Sequence, residues 1–230
     1  MKKSLLPVLA AAALAIGCNK QDSISFSGVE SGVVRSGVFT TDNGTEMAID
    51  GNEGGYDIQT GRRVMVSYEA HPAATSSEVV IDLRQLWDAC IAEPVPADDA
   101  SEEPVDTPVR ISQAWFNGGY LNLYVDYFGT DPHLHAFSAS YRVRGDGITV
   151  RLYHDGAAEA DTRESMQDAF ICIPMAGAVQ TLDLQRSALG QDLSAAIPVL
   201  LQWTWYQEED GKLSEQASLF EKEGSFNGLS

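Results

Sequence analysis

The stretch Tyr120-Leu121-Asn122-Leu123-Tyr124-Val125-Asp126-Tyr127 decides the fold class of this chain. Its aliphatic side chains, Leu121, Leu123 and Val125, occupy every second position, which is the period that a β-strand imposes on its two faces. Aromatic and β-branched residues favour the same conformation because they pack well on a pleated surface. The stretch therefore predicts a half-buried strand of a β-sheet.

The residues that follow repeat this pattern. Further strands are predicted at 135–143, 148–154, 169–173 and 197–206, and a last pair turns at 210–211 and returns through residue 219. Large side chains at Val199, Leu201, Trp203 and Trp205 fall on one face, which predicts a core strand. About six to eight antiparallel strands in residues 109–230 predict a β-sandwich. No stretch predicts a helix longer than a turn or two.

Residues 28–92 predict a small closed β-barrel. Short strands are indicated at 33–40, 46–49, 63–68 and 78–83. The first two are joined at Asp42-Asn43-Gly44, where Asn and Gly accept the positive φ of a hairpin turn. Several short strands joined by tight turns are typical of such a barrel. The fold class is accordingly all-β, with a barrel followed by a sandwich.

Residues 93–108 separate the two predicted units. Prolines at 94, 96, 104 and 108 stand among six aspartates and glutamates. Proline removes backbone donors and the like charges repel, so an extended linker and a domain boundary are predicted here.

The N-terminus indicates where the protein resides. Lys2 and Lys3 precede an apolar run and then Gly17-Cys18, which predicts a lipoprotein signal peptide at residues 1–17. The run is about 12 residues long, shorter than the roughly 20 of a membrane span. Cleavage would leave an acylated Cys18 at the start of a tether, residues 18–27. The expected location is the cell envelope, at the outer membrane; an ordinary signal peptide with a chance cysteine is the alternative.

Composition limits the partners. The formal net charge is -18, and such an acidic surface repels nucleic acids, so no nucleic-acid binding is expected. It also disfavours adsorption on anionic lipid, so membrane attachment would rest on the lipid at Cys18. Cys90 and Cys172 both lie among apolar neighbours. Buried free thiols and a disulfide are both compatible with their sequence context.

Seven short segments together resemble the NigD-like family of cell-envelope lipoproteins. They are Gly32-Val33-Val34, Asp42-Asn43-Gly44-Thr45, residues 61–66, Trp115, residues 120–123, His135-Ala136-Phe137 and residues 170–174. The resemblance implies an OB-like barrel followed by an immunoglobulin-like sandwich, both outside the cytoplasm. It also implies a role of the kind proposed for the family, which is immunity to a bacteriocin.

Motifs for catalysis and metal binding are sparse. The sequence contains none of the common hydrolase, phosphate-binding or zinc signatures, so neither an enzyme nor a cofactor is expected. His133 and His135 would share one side of an extended segment, and Asp131 or His154 could complete a weak zinc site. Residues 50–54 resemble the start of a calcium loop, although turn chemistry explains each of them.

Three functions are compatible with these observations. The first is a lipid-anchored, non-catalytic envelope protein that binds a protein partner in an immunity or accessory role. The second is a carbohydrate-binding lipoprotein that uses exposed aromatic residues such as Trp115, Phe116 or Trp205, with Trp203 as a further stacking candidate. The third is a metal-dependent hydrolase centred on His133 and His135.

Overall fold

The computed structural model describes residues 26–72, 79–98, 104–159, 165–209 and 212–226. The predicted signal peptide at residues 1–17, Cys18 and most of the predicted tether lie outside these ranges. Within them, no helix has the length and apolar character needed to cross a membrane.

The described residues form thirteen strands and one α-helix. The strands are β1 (Phe26–Arg35), β2 (Val38–Thr41), β3 (Glu46–Asn52), β4 (Arg62–Pro72), β5 (Val79–Ile91), β6 (Pro94–Pro96), β7 (Val109–Asn117), β8 (Tyr120–Phe128), β9 (Ala136–Arg144), β10 (Gly147–Asp155), β11 (Met166–Pro174), β12 (Ile197–Glu209) and β13 (Lys212–Phe226). The helix α1 (Ala176–Ala188) connects β11 to β12.

Strands β1 to β5 close into the predicted OB-like barrel. Their pairing follows the ring β1-β2-β3-β5-β4, and β4 pairs with β1 again. The parallel pairing of β3 with β5 closes the ring, and the other pairings are antiparallel. Val34, Phe39, Val64, Val66 and Ile81 fill the interior without solvent exposure. The hydrophobic alternation of the sequence thus produces a filled barrel.

The second unit is a sandwich of two sheets. One sheet contains β7, β8 and β11, and the facing sheet has the order β13-β12-β10-β9-β6. Leu123, Val150, Ile171 and Val199 belong to the single core between them. Most pairings are antiparallel, but β10 pairs in parallel with β12 and β6 with β9. Parallel neighbours cannot be joined by a tight hairpin, and in both pairs the two strands are connected by a long segment of chain.

Strand β5 belongs to both units. Its first part pairs with β3 and β4 in the barrel, and its last residues pair in parallel with β11 of the sandwich. The barrel strands and one sandwich sheet therefore form a continuous sheet of eight strands. Backbone hydrogen bonds run through the boundary between the units, because β5 supplies donors and acceptors to both.

Three segments differ from the sequence prediction. Residues 33–40 were predicted as one strand, but they divide between β1 and β2 at a turn where Ser36 and Gly37 have positive φ. The prediction that no helix exceeds two turns was wrong: α1 has 13 residues and packs on the sandwich through Ala178, Val179 and Leu182. Residues 93–108 were predicted as an extended linker, and within them Pro94–Pro96 forms β6 and pairs with β9. A short edge strand tolerates proline because one of its sides needs no backbone donor.

A buried polar network joins the barrel to the sandwich. Arg63 on β4 donates two hydrogen bonds to the carboxylate of Asp42, at 2.6 and 2.7 Å. The same guanidinium donates to Asn122 Oδ1 on β8 at 2.9 Å and to Cys172 Sγ on β11 at 3.1 Å. It also stacks over the Tyr120 ring at 4.1 Å. Side chains from both units thus satisfy one buried cation.

Cys90 and Cys172 are both free thiols in the structure. Cys90 is the register partner of Ile171, so it lies on the face of the shared sheet that packs against the sandwich core. Cys172 is the next residue along β11 and points to the opposite face, into a cluster with Met65 and Phe170. Side chains on opposite faces of a sheet cannot form a disulfide, so free thiols are the arrangement that this fold permits.

Candidate functional site

A cleft of about 550 Å³ lies at the seam between the two units. Trp87 and Cys90 of β5 line it, together with Asp168 of β11, and His133 and His135 line it from the segment before β9. Two of the histidines that the sequence singled out therefore do meet at one cavity. We call it the seam cleft.

The structure does not bring Asp131, His133 and His135 together as metal ligands. Asp131 caps a short 3-10 helix, Pro132–Leu134, by accepting a hydrogen bond from the His133 backbone N–H at 2.9 Å. His133 is exposed on this turn, whereas the side chain of His135 has no solvent exposure. The zinc hypothesis assumed an extended segment, and the helical turn removes the alternation on which it depended.

His135 instead forms a relay with two residues that are distant in sequence. Its Nδ1 lies 2.9 Å from His154 Nε2, and its Nε2 lies 3.1 Å from Glu159 Oε2. His154 Nδ1 lies 3.2 Å from the carbonyl oxygen of Thr107, which can only accept, so this nitrogen carries a hydrogen. His154 Nε2 then accepts from His135. Every contact is satisfied when His135 carries hydrogen on both ring nitrogens and faces the Glu159 carboxylate.

The surroundings of the relay shift the pKa values of two of its groups, His154 and Glu159. Burial, and next the neighbouring His135, lowers the pKa of His154 to about 4. Hydrogen bonds from the Thr130 hydroxyl and backbone lower the pKa of Glu159 to about 2. Gly156 leaves room for the His135 ring, since a Cβ there would lie 2.8 Å from His135 Nδ1. The relay is therefore a tightly packed structural element.

The chemistry of the seam cleft suits recognition better than catalysis. Burial raises the pKa of the Cys90 thiol, so it stays protonated and is a poor nucleophile at neutral pH. Burial also raises the pKa of the Tyr127 hydroxyl. Both ring nitrogens of His135 are already engaged, so this imidazole has no nitrogen left to act as a general base.

One wall of the cleft combines an aromatic ring with a carboxylate. Trp87 Nε1 donates to Asp168 Oδ2 at 2.9 Å, and the Tyr124 hydroxyl donates to the same oxygen at 2.8 Å. Burial and the hydrogen bond to Asp168 raise the pKa of Tyr124 to about 12. Asp88 at the rim pairs with Arg62 at 2.8 Å. An aromatic face beside fixed negative charge is suited to a basic side chain of a partner.

The aromatic residues proposed for carbohydrate binding lie apart from one another, and each packs against another aromatic ring. Trp115 stacks on Phe170 in the seam cluster, with ring centroids 5.9 Å apart. Phe116 packs against Phe226 and the sandwich core. Trp205 is only 6% exposed and stacks on Phe128. Trp203 is partly buried, packs on the same core and stacks on Phe220. These residues do not form one exposed stacking platform.

The calcium-like stretch at residues 50–54 is organised as a turn. The Asn52 amide donates to the Tyr56 carbonyl at 2.8 Å and accepts from its N–H at 3.0 Å. Asp50 lies instead near His71 and Asp82, and one atom from each of these three residues lies within 4.8 Å of the others. In the described part of the chain this is the one group of three that could hold a metal. No local sequence pattern indicates this group, because its three residues come from three different strands.

The fold and the seam cleft define a class of β-protein in which a closed barrel shares a strand with a sandwich. No known family profile matches the chain, and neither does any curated protein.

Solved structures are similar over most of the length. The chain is similar to a NigD-like immunity protein from Bacteroides caccae, with a TM-score of 0.58, 20% identity, and coverage of 86% of this chain and 96% of that one. A protein described as a candidate lipoprotein from Bacteroides fragilis gives a TM-score of 0.56, 17% identity, and coverage of 88% and 97%. At these identities the likeness shows the fold, and the chain has the fold of the NigD-like immunity protein.

Proposed function

We propose that this chain is a lipid-anchored, non-catalytic cell-envelope protein of the NigD-like type, which binds a protein partner in an immunity or accessory role. The observation that carries the proposal is the likeness to the NigD-like immunity protein, which spans 96% of that chain and includes both units. The signal-peptide pattern at residues 1–17 supports acylation of Cys18. Attachment at the outer membrane is part of the same proposal.

Charge and shape specify the partner's chemistry. The protein carries a formal net charge of -18, so a basic partner is attracted over a long range. The seam cleft offers the Trp87 ring beside the carboxylate of Asp168. A partner that inserts a lysine or arginine side chain there gains a cation–π contact and a charge-assisted hydrogen bond. We therefore assign partner binding to this cleft.

Site-specific cross-linking in intact cells tests the proposal. A photoreactive amino acid replaces the exposed His133 at the cleft or, as a control, Leu184, which is 69% exposed on α1 and does not line the cleft. We expect one protein adduct from the His133 position only, and its loss when Cys18→Ala removes the anchor. Asp168→Asn in the His133 derivative should weaken the adduct. The same adducts from both positions, or none from either, would refute binding at the cleft.

A further inference from the structure

A groove of about 280 Å³ crosses the outer face of the five-stranded sheet, away from the sandwich core. Arg142 of β9 and Arg151 of β10 line it, together with Arg144, Tyr153 and Gln202. No aspartate or glutamate is among its lining residues. The chain has 33 acidic residues against 15 lysines and arginines, so three arginines around one groove are unusual for this chain, although Asp98 and Asp106 pair with two of them.

Strand register produces this arrangement. Arg142 is opposite Thr149, and Arg151 lies between Ser140 on β9 and Gln202 on β12. Residues at these positions alternate with buried ones such as Val150, so their side chains stand on the outer face. The fold thus places hydrogen-bond donors in rows across three neighbouring strands.

The three guanidinium groups differ in how firmly they are held. Arg151 is fixed by Asp106 at 2.6 Å and by Thr204 at 3.2 Å, and it lies over the Tyr153 ring at 5.3 Å. The pair of Arg142 with Asp98 is exposed, with side-chain accessibilities of 43% and 87%, so water screens it strongly. Arg144 has no carboxylate within 4.0 Å in the residues that the structure covers. Arg144 is therefore the unpaired arginine of the groove among the described residues, and Arg142 can exchange its exposed partner Asp98 for another anion.

The groove continues along the sheet. A second depression of about 320 Å³ shares Arg144, Thr149 and Leu200 with the first. Asp146 and Glu223 line only this second part, so the positive charge is concentrated in the first. An acid group of an elongated polymer would therefore bind in the first part, beside Arg142 and Arg144.

We propose that this groove binds an anionic polysaccharide through its carboxylate or sulfate groups. Arginine forms paired hydrogen bonds with either group. Thr149 suits hydroxyl groups, as does Gln202 through its Oε1, since its Nε2 donates to Glu221 at 2.6 Å. The face of the Tyr153 ring that Arg151 does not cover suits a sugar ring. A peptide that adds a strand is a poorer fit because β10 and β12 have neighbours on both sides and β6 covers the middle of β9, at residues 139–141. The site lies on a different surface from the seam cleft and does not depend on it.

Titration with defined polymers tests the site. Polygalacturonate carries carboxylates, dextran sulfate carries sulfates, neutral dextran carries neither, and poly-L-glutamate is an acidic peptide. Binding is measured by isothermal titration calorimetry at low ionic strength, where charge attraction is least screened. We expect at least one acidic polysaccharide to bind, and whichever of the two binds more tightly identifies the acid group.

A matched pair of variants assigns the binding to the groove. R142Q/R144Q removes two charges from it, and R84Q/R110Q removes two charges from exposed arginines that do not line it. The groove variant should bind about tenfold more weakly or worse, because each charge-assisted hydrogen bond is worth at least that factor. Circular dichroism checks that both variants fold. No binding by the unaltered protein, equal losses in both variants, or poly-L-glutamate binding as tightly as the polysaccharides would overturn the proposal.

Discussion

Substitution of Arg63 should lower the stability of this protein more than substitution of an exposed arginine. Its side chain is 9% exposed and that of Asp42 is 4% exposed, so the pair lies almost completely out of water. Removing one partner leaves an unpaired buried charge. We expect Arg63→Ala to lower the free energy of unfolding by about 3 to 5 kcal/mol, measured by urea denaturation.

A second arginine provides the control for this prediction. Arg110 pairs with Asp126 at 3.0 Å, but its side chain is 48% exposed. Arg110→Ala should therefore cost less than about 1 kcal/mol, because water screens exposed pairs. If the two variants lose similar amounts of unfolding free energy, the assignment of Arg63 as a buried structural cation is contradicted.

His154 should make stability depend on pH between neutrality and pH 5. Its pKa is about 4 in the folded protein, below the ordinary 6.5, so the unfolded chain binds more protons in this interval and stability falls as pH falls. The loss between pH 7 and pH 5 should be about 2 kcal/mol by urea denaturation. Glu159, with a pKa of about 2 against 4.5, contributes above pH 4.5 and loses that contribution only at lower pH.

The variant His154→Asn separates this effect from other titrations. Its free energy of unfolding should be lower at pH 7, since the hydrogen bonds to His135 and Thr107 change. Its decrease between pH 7 and pH 5 should be smaller than that of the unaltered protein. An unchanged pH dependence would mean that another group titrates in this interval.

The sequence could predict the turn at Asp42-Asn43-Gly44 but not the partner of Asp42. Local turn chemistry is visible in three neighbouring letters, whereas Arg63 is 21 residues away and its other partner Asn122 is 59 residues further on. The histidines likewise show that sequence reveals local spacing but not tertiary contacts. The spacing of His133 and His135 was visible, but the relay of His135 with Glu159 depends on tertiary packing.

At the scale of elements, strands were more predictable than their pairing or than α1. Alternation in β8 and β12 follows from local burial, so it is present in the sequence. The parallel pairings of β5 with β11 and of β10 with β12 join distant segments, and no local pattern encodes them. Helix α1 begins at Ala176, and its N-cap residue Met175 makes no side-chain capping hydrogen bond, so the usual start signal is missing.

Helix α1 should nevertheless be essential for the sandwich core. Leu182 is fully buried in that core, whereas Leu184 on the same helix is 69% exposed. We expect Leu182→Ala to lower the free energy of unfolding by about 2 to 5 kcal/mol, through lost burial and the cavity left behind. Leu184→Ala should change it by less than about 0.5 kcal/mol. Equal effects in chemical denaturation would mean that α1 does not pack as described.

At the scale of the whole molecule, the shared strand should make the two units unfold together. If β5 unfolds with the barrel, β11 of the sandwich is left without one of its paired strands. The hydrogen bonds of Arg63 to Asp42 and to Asn122 also connect the two units. In urea, the fluorescence of Trp87 at the seam and of Trp203 and Trp205 in the sandwich should change at the same midpoint as far-UV circular dichroism.

A fragment that contains only residues 109–230 tests the same coupling from the other direction. It lacks β5 and β6, so β11 and β9 each lose one neighbouring strand and Cys172 loses its contact with Arg63. We expect this fragment to show no cooperative unfolding transition under conditions in which the full mature chain does. Arg63→Ala in the full chain should lower the midpoint without dividing the transition, because the backbone pairing of β5 with β11 remains. A cooperative fragment, or two separate transitions in the full chain, would instead mean that the seam joins two independently stable domains.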